Sequence, residues 1–113
     1  MKEVIVPILN NEYKVVICWG SPKQVEKVLK SWGHNREGSL SSLINNSRGL
    51  TFYNNTCVPV IALRRKPKTR EEIGTLAHEA CHAIENIFGK ISEPLGGEVF
   101  AHSVGAVVRE GLK

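Results

Sequence analysis

The stretch TLAHEACHAIE, residues 75–85, holds two histidines four positions apart with a glutamate directly after the first. On a helix turning 100° per residue, His78 and His82 project about 40° apart, one turn along the same side. Two imidazoles so placed can share one zinc ion at roughly 2.0–2.1 Å each. Glu79 points about 100° away from His78 and need not ligate. It can take a proton from a metal-held water and later pass it to a leaving amine. That is the chemistry behind H-E-x-x-H, written here as His78-Glu79-Ala80-Cys81-His82.

A catalytic zinc normally has three protein donors and an open position. The segment 98–110 offers Glu98 and His102, again four apart, with Gly105 and Arg109 on the same helical face. Glu98 can be the third donor, or a first-turn charge that favours the helix dipole. His102 is the other candidate; otherwise it can orient a ligand or hydrogen-bond an oxyanion. Gly105 would let this helix approach a neighbour closely. His34 follows the first helix and could also steady an oxyanion, although a lone loop histidine is more often a surface residue.

The competing reading is an ordinary helix. Ile73, Leu76, Ala77, Ala80, Ala83, Ile84 and Ile87 form one apolar stripe, and the histidines lie opposite it, where a solvated helix carries polar residues. Three facts favour the metal, the first being that the motif lies mid-helix after an expected edge strand, the context the chemistry wants. The chain has four histidines, and two of them take this spacing; the residues between them, Ala80 and Cys81, are small and uncharged.

These residues need elements to hold them. Residues 3–9 and 13–19 are rich in Val and Ile and flank Asn10 and Asn11, which predicts a hairpin. Ser21, Pro22 and Gln24 signal a helix start with a capping box. Val25, Val28, Leu29 and Trp32 continue that helix at the right spacing, and Gly33 ends it. Leu40, Leu43 and Ile44 suggest a further helical turn. Residues 48–53 and 57–64 read as strands, and Pro59 puts the second at a sheet edge, since proline cannot donate to a central ladder. Thr69 and Glu72 form a second capping box ahead of the histidine helix, and Gly89 supplies its stop. With a last helix over 98–110, the order predicts an α+β fold with a small sheet.

At 113 residues and 42% hydrophobic content, one domain spanning 1–113 is expected. No apolar run approaches the roughly 20 residues that span a bilayer. The start MKEVIVPILNNEYK is interrupted by Glu3 and Pro7 and has no cleavage-site pattern, so a cytoplasmic protein without a membrane partner is expected. Cys18, Cys57 and Cys81 are odd in number and lack C-x-x-C spacing, which argues for reduced thiols. The net charge is +4, and Arg64, Arg65, Lys66, Lys68 and Arg70 crowd one stretch. Such a cluster can meet phosphates or an acidic partner. No aromatic residue interleaves it, so nucleic acid is only weakly supported, and a solvated connection is the plain alternative.

The segment TLAHEACHAIENIFG…GGEVFAHSVGAVVREGL resembles the core of zincin-type metallopeptidases, in particular the gluzincins, whose third ligand is a glutamate. It is most similar to the very small HExxH proteins of bacteriophages and bacteria, and the likeness covers residues 57–110. The resemblance implies a zincin-like domain in which a twisted mixed sheet carries the HExxH helix and a following ligand helix. It implies one Zn2+ per chain on His78, His82 and Glu98, with Glu79 as general base; His102, from its own spacing, is the candidate second catalytic residue that would steady a developing oxyanion. It implies a peptide or protein substrate lying along an edge strand, residues 58–63, by strand addition. The sequence departs from the pattern at position 102, histidine where a tyrosine or an aspartate is expected, and lacks the large C-terminal domain of full-size gluzincins. The expected function is therefore a small zinc metallopeptidase, the alternative being an inactive binding protein on the same scaffold.

Overall fold

The computed structural model describes residues 2–34, 47–93 and 95–113. The expected turn at Leu40, Leu43 and Ile44 lies outside them. Strands β1 (Lys2–Ile8) and β2 (Tyr13–Trp19) precede helix α1 (Pro22–Ser31). Strands β3 (Gly49–Phe52) and β4 (Val60–Leu63) precede helices α2 (Arg70–Lys90) and α3 (Glu98–Leu112). The result is an α+β fold with a mixed four-stranded sheet and, among the described residues, three helices.

The sheet order is β1-β2-β4-β3. β1 and β2 form the expected antiparallel hairpin, with Val6 opposite Val15 and Ile8 opposite Tyr13. Its turn runs through three successive left-handed residues, Leu9, Asn10 and Asn11. Asparagine tolerates that conformation; leucine does so at a cost. β2 and β4 are parallel, Val16 opposite Val60, while β3 returns antiparallel to β4, Phe52 opposite Val60.

This order overturns the placement of residues 57–64 at an edge. β4 is a central strand, and Val60, Ile61, Ala62 and Leu63 are all buried. Pro59 stands one residue before the ladder, where its missing N–H costs nothing. Its carbonyl accepts the Val16 N–H at 3.0 Å. Among the described residues the edge strands are β1 and β3.

Strand alternation divides the core into two layers. Val6, Ile8, Val15, Ile17, Ile61 and Leu63 face Leu76, Ala80, Ala83, Ile84, Ile87 and Phe88 of α2 and Val107 of α3. Val16, Cys18, Val60 and Ala62 face the other way, against Val25, Val28 and Leu29 of α1. The sheet is thus sandwiched, with α1 on one face and α2 and α3 on the other. Burial pushes the Cys18 thiol up to about 12, with the nearby Glu3 charge adding to the effect.

Both capping boxes form, at Ser21–Gln24 and at Thr69–Glu72. Gly33 adopts φ +85° and closes α1. Gly89 does not stop α2, which continues to Lys90 with Ile91 as its cap. The close approach expected at Gly105 occurs instead at Gly111. A methyl group at 111 would lie 2.7 Å from Leu76 Cδ2 and 3.1 Å from Ile17 Cδ1, whereas at 105 it would meet only Arg109 of its own helix. The buried stripe of α3 is Ser103, Val107 and Gly111, so Glu98, His102 and Arg109 point away from the core.

Candidate metal centre

α2 runs along β3 at the edge of the sheet, and Gly49 makes this possible. A methyl group there would come within 2.9 Å of Thr75 Cγ2, 3.0 Å of Leu63 Cδ2 and 3.4 Å of Glu79 Cγ. Two residues on, Thr51 faces the same helix. Thr51 Oγ1 lies 2.8 Å from Glu79 Oε1, to which it donates, and 3.0 Å from the Glu79 carbonyl oxygen. One edge-strand hydroxyl thus fixes both the backbone and the carboxylate of the glutamate.

Glu79 is only 9% exposed, a rare degree of burial for a carboxylate. Its second oxygen, Oε2, lies 3.9 Å from His78 Nε2. His78 and His82 bring their Nε2 atoms to 3.2 Å, with the rings edge-on at 82° and centroids 4.7 Å apart. Two nitrogens each about 2.05 Å from one tetrahedral zinc stand about 3.3 Å apart. The observed 3.2 Å separation is that of an N–H···N hydrogen bond between the rings, and it also matches the bite of a chelate on one zinc ion, for which imidazole is a usual donor. Cys81, between the histidines, is held in the thiol form by burial and by Glu85, both of which push its pKa up.

Glu98 and His102 do not join this pair. They are 92% and 81% exposed at the side chain and meet each other, Oε2 to Nε2, at 3.6 Å. His102 lines a different cavity, with Pro7, Ile8 and Leu9 at the end of the β1 hairpin. β1 and β3 are opposite edges of the sheet, three strand spacings or about 14 Å apart. Among the described residues no three His, Cys, Asp or Glu side chains gather as a metal-binding group. The fit is that of a two-histidine chelate with an adjacent carboxylate; the third donor is not assembled. His34 is neither exposed nor near this centre. It is buried at the start of β4, with Nε2 at 2.6 Å from the Val58 carbonyl oxygen.

Thr51 and Gly49 are neighbours of Glu79 that the sequence alone does not announce. Alternation puts both on one face of β3, but nothing local shows that this face meets the middle of α2.

The chain matches no protein-family model, no curated protein and no solved structure. No helix among the described residues is long and apolar enough to cross a membrane.

Proposed function

We propose that the protein is a zinc-dependent hydrolase of zincin type, a small metallopeptidase whose metal is held through His78 and His82. The observation that carries this reading is the 3.2 Å approach of the two Nε2 atoms beside a buried glutamate tied down by Thr51. A zinc ion bound there would lower the pKa of its water towards about 7 and polarise a carbonyl. Thr51 occupies Oε1 of Glu79 and leaves Oε2 on the side of His78. That oxygen is placed to take a proton from water and hand it to a leaving amine. A solvated face would leave this carboxylate in water, whereas Glu79 is buried and held by the Thr51 hydroxyl.

β3 is the sheet edge beside Glu79, so it replaces residues 58–63 as the strand on which an extended peptide would lie. Backbone hydrogen bonds along β3 would hold the peptide, and Thr51 sets which peptide bond lies nearest Glu79.

The test is hydrolysis of an unstructured protein such as casein by the zinc-loaded chain and by Glu79→Gln. Cleavage that falls by about 10²–10⁴ in the variant, at unchanged zinc content, is the expected result. Equal cleavage by both proteins, or none by either, defeats the reading. A second reading, an inactive zincin-like binding protein, draws on the separation of Glu98 from His78 and His82. It predicts that Glu79→Gln costs the chain none of its function.

A further inference from the structure

At the start of β3 a cavity of about 310 Å³ opens between the strand and the first turn of α2. Arg48, Arg64 and Arg65 line it, facing Glu71, Glu72 and Thr75. It adjoins the candidate centre. Thr75 is one turn before Glu79 on α2 and packs against Gly49, while Arg48 directly precedes Gly49 on the chain.

The charges in the cavity are not equally engaged. Glu72 is committed: it pairs with Arg65 and accepts the backbone N–H groups of Lys68 and Thr69 at 3.0 and 3.1 Å. Arg64 donates from Nε to the Ser47 carbonyl at 2.8 Å. Arg48 is exposed at the mouth. Lys66, Lys68 and Arg70 are neighbours in the chain, with Lys66 donating to the Lys113 carbonyl, and three arginines face two carboxylates in the cavity itself. With Arg65 paired to Glu72, the remaining lining charges are Arg48 and Arg64 against Glu71, a net positive balance.

We propose that this cavity is a recognition subsite for an acidic side chain, and that the ligand of the cleft is an acidic polypeptide. The identity of that ligand as a peptide rests on the reading of β3 as its docking strand. An extended peptide paired with β3 advances about 3.3 Å per residue. Thr51 marks the position of Glu79 and Arg48 lies three residues back, so the acidic residue sits about 10 Å, or three residues, from the bond nearest Glu79. The cavity, at the small end of ligand pockets, suits a carboxylate side chain. A nucleic-acid strand fits less well. No aromatic side chain lines the cavity for a base to stack on.

The test uses Glu79→Gln protein, so that nothing is turned over, and short peptides of Ala, Thr and Val carrying Asp or Asn at each position in turn. Binding is read by calorimetric titration. At one position the Asp peptide is expected to bind about tenfold more tightly than its Asn twin, the scale of one charge-assisted hydrogen bond. Arg48→Ala should reduce that preference to below about twofold while the Asn peptide binds as before. The preference should persist in the His78→Ala/His82→Ala double variant, because the subsite does not use the metal. No position favouring Asp, or a preference that survives Arg48→Ala, overturns the proposal. So does a short oligothymidylate that displaces the peptide and itself depends on Arg48, which would make this a nucleic-acid surface. An Asp preference that obeys Arg48 in a protein that never cleaves casein supports the subsite and defeats only the hydrolase reading.

Discussion

Thr51 on the edge strand holds Glu79 in the middle of α2 by a 2.8 Å hydrogen bond to Oε1 while its hydroxyl also sits 3.0 Å from the Glu79 carbonyl. This contact joins the sheet edge to the HExxH helix and sets where the buried carboxylate points. Thr51→Val keeps the shape and removes the donor. It should lower stability by about 1–3 kcal/mol, the cost of leaving a buried acceptor unsatisfied, and should also lower hydrolytic turnover. Thr51→Ser should restore most of both. Urea unfolding beside a casein assay checks this, and a stable, fully active Thr51→Val would show that the hydroxyl is incidental.

Zinc binding should follow the histidine geometry. Elemental analysis of protein purified without chelator should find zinc in the wild type and lose it in His82→Ala, because one imidazole alone is no chelate. Glu98→Ala should keep the metal, since Glu98 lies with His102 on the far flank of α3. Loss of zinc in Glu98→Ala would mean that the start of α3 closes on the histidines when metal binds.

Two glycines of α3 should respond in opposite ways to alanine. Gly111→Ala drives a methyl group into Leu76 and Ile17, and an overpacked core of this kind typically costs about 1–3 kcal/mol. Gly105→Ala meets only the flexible end of Arg109 and should gain up to about 1 kcal/mol from helix propensity. Thermal unfolding of the two variants against the wild type separates them, and equal effects would place α3 wrongly on the sheet.

The start of α2 should be acid-sensitive. The Arg65 guanidinium and then the Thr69 and Lys68 N–H groups hold the Glu72 carboxyl down at about 2, below its ordinary 4.5. A depressed pKa stabilises the fold above the unfolded value and loses that contribution as pH falls. The gap in urea midpoint between wild type and Glu72→Gln should therefore be full above about pH 4.5 and close towards pH 2. A gap that does not change with pH would show that Arg65 and Glu72 are not paired in solution.

Much of this was legible locally. Both capping boxes, the Asn10–Asn11 hairpin and the Gly33 stop are set by residues within a few positions of one another, so short-range sterics and hydrogen bonding suffice to read them. The approach of His78 to His82 is legible for the same reason: residues four apart on a helix meet whatever the rest of the chain does.

What failed depended on distant partners. Pro59 carries a true local rule, but whether a strand is central depends on which strands flank it, and β3 closes over β4 on the far side. Gly105 and Gly111 look alike in sequence, and only the crossing of α3 over Leu76 and Ile17 distinguishes them. Glu98 and His102 share the spacing of His78 and His82, yet helical spacing brings residues together only within one helix. The rotation of α3 about its axis, set by burying Ser103, Val107 and Gly111, turns them outward.

The sequence by itself thus determined the elements, their caps, and the juxtaposition of His78, Glu79 and His82, because each arises from contacts within one or two turns of chain. Tertiary structure decided the rest. Burial of two apolar faces of the sheet made β4 central and β3 an edge, laid α2 along that edge, and so gave Glu79 its tether to Thr51 and the centre its arginine-lined neighbour.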